Sequence, residues 1–206
     1  MKKDMNPSIE PITEGQIGKL NELIRARLLK SSSQFQKDPF QDVLEHQGEE
    51  LINEIITVII KKVDAVSGMI IRHVSVNRKR SPKEMFDATG RSKYVDDDVV
   101  VDIPRGEGEE TDVIFFKLDY SPSDDNLEKE YEIRGLKPAD TYSQAAVNEA
   151  DLAFADTHPN GTHWKDKNGK WCFAAFEQWI DGWRLVLVNR SDGDWTDRWW
   201  FAGLRK

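Results

Sequence analysis

Ile17, Leu20, Leu23, Ile24 and Leu28 recur at helical spacing behind Thr13-Glu14-Gly15-Gln16, a capping box, so the pattern predicts a helix over residues 14–30. Ser31-Ser32-Ser33-Gln34 interrupts it, and Asp38-Pro39 restarts a helix with an acid at the N-cap and proline at the first helical position. From there Phe40, Val43, Leu44, Leu51, Ile52, Ile55, Ile56, Ile59, Ile60, Val63 and Val66 form one apolar stripe, predicting a second helix over 39–66. The stripe needs a cover: helix 14–30 folding back as a hairpin, the sheet that follows, or a second copy of the chain.

Beyond Gly68 the period shortens. Met69–Val76 reads as a strand, and Ser81-Pro82-Lys83-Glu84 opens a short helix closed by Gly90. Residues 98–103 and 112–118 read as strands, and 123–134 and 138–150 as helices. Asn168-Gly169 and Asp181-Gly182 between strand-rich runs predict a three-stranded meander over 162–190, followed by a last strand over 199–204. If each loop is the bare dipeptide, Trp164 faces Phe173, Asp166 faces Trp171, Trp179 faces Arg184 and Glu177 faces Val186. In that register His163 and Cys172 share a face, and both faces of the meander are apolar and need covering. The expected architecture is α+β: a lead-in over 1–12, a helical hairpin segment over 13–67 that can serve as an oligomerisation arm, and an α+β domain over 68–206 ending in a Trp-rich antiparallel meander.

Charge narrows the partners. Residues 1–90 hold 14 Lys/Arg against 13 Asp/Glu, whereas residues 91–206 hold 15 against 24, so the second part lacks the basic footprint that nucleic acid requires. Arg78-Lys79-Arg80 is a local exception, read as a solvated loop with phosphate binding as the sharper alternative. A single cysteine, Cys172, excludes an intrachain disulfide and suits a reducing, cytoplasmic setting; no run is long enough to span a membrane, and no motif calls for a cofactor.

Three clusters could carry chemistry. Asp156, His158, His163 and Asp166 lie around a Pro-Asn-Gly turn and offer nitrogen and oxygen donors for a divalent metal, and an alternative reading is a metal-dependent hydrolase using Asp156, His158 and His163. Cys172 beside His163 admits a thiol nucleophile, against the plainer reading of a small buried hydrophobe. Asp192-Gly193-Asp194-Trp195-Thr196-Asp197 reads as a loop, and Trp195, with Asp194, Asp197 and Trp199, is the expected contact surface for a protein, peptide or small polar ligand. The favoured function is a non-enzymatic binding module; a structural subunit assembled through helix 39–66 is a further alternative.

Phe86-Asp87-Ala88-Thr89-Gly90-Arg91, Ile103-Pro104-Arg105-Gly106, Val113–Lys117, Arg134–Ala139, Asn160-Gly161-Thr162-His163-Trp164 and Trp200–Lys206 together resemble a family of bacterial proteins of unassigned function, over residues 69–206. The resemblance implies no activity. The helix after Arg134-Gly135-Leu136, the Trp-bearing meander and the terminal aromatic-Gly-Leu-Arg strand are also similar in layout to C-type-lectin-like domains of the formylglycine-generating type. The chain has neither their Arg-Gly-Gly-Ser-Trp segment nor the cysteine pair of the catalytic members, so this likeness implies a ligand-presenting scaffold and no oxidase role.

Overall fold

The computed structural model describes residues 12–193 and 195–206. The chain divides into two compact units, residues 1–67 and 68–206. Its class is α+β, with helices at the N-terminal end and tryptophan-bearing strands at the C-terminal end.

In the first unit α1 (Glu14–Lys30) starts from Thr13, whose hydroxyl accepts from Gln16 N while the Gln16 side chain accepts from Thr13 N. The expected helix over 39–66 is two helices, α2 (Lys37–His46) and α3 (Gly48–Ser67), parted at Gln47. Glycine at the start of α3 has poor helix propensity and marks the break. No residue of α1, α2 or α3 is buried, so within this unit helix 14–30 does not cover the apolar stripe.

The second unit is built on a mixed sheet ordered β1-β3-β8-β5-β6-β7-β2, with β4 pairing the far half of β8. The strands are β1 (Met69–Ser75), β2 (Ser92–Val95), β3 (Glu110–Lys117), β4 (Leu136–Pro138), β5 (Asn160–Lys165), β6 (Trp171–Gln178), β7 (Arg184–Arg190) and β8 (Trp200–Arg205). Between them lie α4 (Pro82–Ala88), α5 (Asp97–Val100), α6 (Asp124–Ile133), α7 (Thr141–Ala150) and α8 (Phe154–Thr157). Residues 98–103, read as a strand from their valines, begin as α5 instead: the Asp96 side chain caps Asp98 N, and acids fill the first turn. The 92–95 strand, parallel to β7, carried no alternation by which to find it.

The meander forms, but one residue out of the expected register. Trp164 pairs with Cys172 and Lys165 with Trp171; Glu177 pairs with Leu185 and Gln178 with Arg184. Both loops have three residues, because Asp166 N bonds Lys170 O across one turn and Trp179 N bonds Trp183 O across the other. Gly169 and Gly182 take positive φ at the last loop position, the conformation that closes a type I turn with a bulge. In the first loop Asp166 Oδ1 accepts from both Asn168 N and Lys170 N, which favours the longer turn.

The shift separates His163 from Cys172. One face carries Thr162, Trp164, Cys172, Ala174, Phe176, Val186 and Val188, packed under α4, α7 and α8 in a single core that includes Phe86, Tyr142 and Phe154. The other carries His163, Trp171, Phe173 and Glu177 and is covered by α6 and by Trp195. There the Tyr131 ring meets Phe116 edge-on with centroids 5.1 Å apart, and its hydroxyl donates to Ala202 O at 2.8 Å. No helix among the described residues is long and apolar enough to cross a membrane.

Candidate functional site

Trp195 is not a loop contact. It is 6% exposed, its ring lies edge-on to Phe173, Trp199 and Phe201, and its Nε1 donates to Asp124 Oδ1 at 3.0 Å. Gly161 makes room for it, since a Cβ there would stand 2.5 Å from Trp195 Cζ3. Trp199 is buried as well and stacks under the Arg198 guanidinium, whereas Asp197 is exposed. Asp194 lies outside the described residues.

Asp156, His158 and His163 are not brought together. Asp156 binds Arg91 and Arg184; His158 stacks on Phe154 and meets Trp200 edge-on. His163 lies on the opposite face of the sheet, buried between two carboxylates from α6. Its Nδ1 sits 3.1 Å from Asp124 Oδ1, its Nε2 sits 3.2 Å from Glu128 Oε2, and the ring stacks on Trp171 at 4.4 Å. Ser191 Oγ and Trp195 Nε1 also donate to Asp124. Ser123 caps α6 through Asn126 N and so fixes the turn from which Asp124 and Glu128 reach the sheet.

Burial alone would lower the His163 pKa, but the hydrogen bonds and charges of Asp124 and Glu128 outweigh it and raise it above the ordinary value of 6.5. Burial likewise pushes Asp124 up, yet its bonds from His163, Ser191 and Trp195 hold it below the usual carboxylate value. Both ring nitrogens thus face a carboxylate from α6, and the raised pKa favours the charged form of the ring. With both nitrogens engaged, neither is open to a metal or a substrate proton, and the arrangement ties α6 to the sheet.

The two remaining candidates are also absorbed by the fold. Cys172 is fully buried on the other face, and burial raises its thiol pKa, so the nucleophilic thiolate is disfavoured. Arg78 is a latch: Nε donates to Gly108 O at 2.7 Å, one amino group to Asp140 Oδ1 at 2.6 Å and to Arg105 O, and the other to Ser143 Oγ at 2.9 Å. Arg105 lies over the Tyr142 ring and donates to Arg78 O and Arg80 O, while Arg80 pairs with Glu149. The basic run thus organises the 104–109 loop.

Two surface features remain in this unit. After Gly161, β5 leaves β8 and β4 takes its place, opening a cleft of about 870 Å³ bordered by Glu107, Glu128, Asp140, Lys165, Trp171 and Leu204. Its rim mixes both signs of charge, and Trp164, on its wall, has an Nε1 with no hydrogen-bond partner among the described residues. The second feature is the tip of the β6–β7 hairpin, where Trp179 is 51% exposed, Trp183 is 63% exposed and Ile180 stands fully in solvent. Trp179 Nε1 donates to Glu177 Oε1 at 2.9 Å, and the buried Glu177 is held in turn by Arg198 at 2.6 Å. The tip therefore presents an oriented indole on a braced stem. The signal for it in the sequence is two tryptophans flanking a turn dipeptide.

Compared with protein-family models, with curated proteins and with solved structures, the chain gave no match.

Proposed function

We propose that the chain is a non-enzymatic interaction module whose N-terminal helices join copies of the chain and whose β6–β7 tip contacts a protein partner. The observation that carries this reading is where large apolar side chains stay in water: along α1 and α3, and at Trp179, Ile180 and Trp183. Isolated exposed apolar residues need no explanation, but a cluster with two tryptophans has the composition of an interface centre. Orientation of Trp179 through Glu177 and Arg198 supports the same reading, because a side chain fixed before binding loses less entropy on contact. The buried polar groups do not favour catalysis, since His163 has both nitrogens engaged and Cys172 is closed off.

A photo-crosslinking residue at position 180, expressed in the host cell, tests the tip. The expected result is one recurrent adduct, absent when the residue is placed at exposed Lys129 and lost with Trp183→Ala. Equal labelling from positions 180 and 129 would remove the tip as a contact.

A further inference from the structure

We infer that the second copy docks on α3 in the antiparallel sense, forming a two-helix seam between two chains. This rests on the self-association reading above and assigns its geometry. Ile52, Ile56, Ile59, Val63 and Val66 are spaced four, three, four and three residues apart, the repeat of a coiled-coil seam. All are exposed or only half-buried in the chain. α1 cannot be their cover, for its own Leu23, Leu28 and Leu29 are exposed too.

A helix so rich in β-branched residues has little intrinsic stability. Ile and Val lose side-chain freedom in a helix, and helices of this length depend on packing of an apolar face. α3 therefore needs a partner surface, and the seam it offers is complementary to itself. Reversing a second copy against it sets Ile52 against Val63 of the second copy and Ile56 against Ile59 of the second copy, giving four apolar layers by symmetry.

Charge selects the direction. Glu49, Glu50 and Glu54 occupy the first half of α3, and Lys61 and Lys62 the second, where Asp64 is the lone acid. A parallel pair would set the three acids of one copy beside those of the other. The antiparallel pair sets acids alongside lysines and also opposes the two helix dipoles favourably.

Light scattering on the full chain, with oxidative crosslinking of seam variants that each carry one cysteine besides the buried Cys172, tests both levels. The expected mass is that of two chains. Replacing Ile56 and Ile59 together by Asp should weaken the dimer at least about 100-fold, with unchanged unfolding of the second unit, which holds every tryptophan. Mixing Ile52→Cys chains with Val63→Cys chains should give disulfide-linked pairs, and Ile52→Cys chains alone should give none. A monomer would overturn self-association altogether. A dimer in which Ile52→Cys links to itself would retain self-association and overturn the antiparallel seam, as would a mass above two chains.

Discussion

Replacing Asp124 by alanine removes the acceptor on which three side chains converge: His163 at 3.1 Å, Trp195 at 3.0 Å, and Ser191. The carboxylate is 3% exposed, so water cannot take its place without the site opening. Breaking one partner out of a buried ion pair costs about 3–5 kcal/mol, and a buried donor left unmet costs about 1–3 kcal/mol. These overlap at His163, so the expected loss at pH 6 is about 3–5 kcal/mol in total. The sign with pH follows from the direction of the shift. His163 has a folded pKa raised above 6.5, so stability from its protonation is complete below the unfolded value and is lost as pH rises through the folded one. Above that folded value the ring is neutral, and the difference between wild type and Asp124→Ala should shrink toward the cost of the Trp195 and Ser191 donors left unmet, about 1–3 kcal/mol. In acid the lowered Asp124 pKa acts the other way: its contribution is present above the unfolded value and fades as pH falls through the folded one. Urea unfolding followed by tryptophan fluorescence reads this directly, since all tryptophans lie between residues 164 and 200. A loss under about 1 kcal/mol at pH 6, or a loss independent of pH, would refute the ion-triad account.

Gly161→Ala should lower stability by about 1–3 kcal/mol, because the added methyl meets the rigid Trp195 ring; an unchanged melting temperature with unshifted tryptophan emission would count against that packing. Arg78→Lys should cost about 2 kcal/mol and expose the 104–109 loop to protease, since an ammonium cannot span Gly108 O, Asp140 and Ser143 together; a protease-resistant loop would show that the latch is dispensable.

Local chemistry was legible in the sequence where one short segment decides the outcome. Both capping boxes form at Thr13 and Ser81, β1 and β3 lie where β-branched residues cluster, and both Gly-containing dipeptides sit in hairpin loops. What escaped depends on distant residues. The loop length turns on one side chain, Asp166, which stabilises a three-residue turn where the dipeptide alone suggests two. Trp195 sits in a stretch composed like a loop, and only the missing Cβ of Gly161 on a separate strand makes the space that buries it. The pairing of His163 with Asp124 and Glu128 spans more than thirty residues and has no spacing rule to betray it. Valines at 99–101 suggested a strand, but three preceding acids at a helix start outweighed them.

The odd length of the two meander loops restricts how such a chain can change over time. Side chains alternate between faces, so adding or deleting one residue in either loop would turn every later strand position over. A change in the first loop would take Phe176 out of the core and bring Glu177 into it, near Phe86, and a change in the second would take out Val186 and Val188. Length variation at 167–169 or 180–182 is therefore confined to steps of two residues, or to changes absorbed by a compensating bulge. Sequence drift in these loops can be wide, while their parity stays fixed.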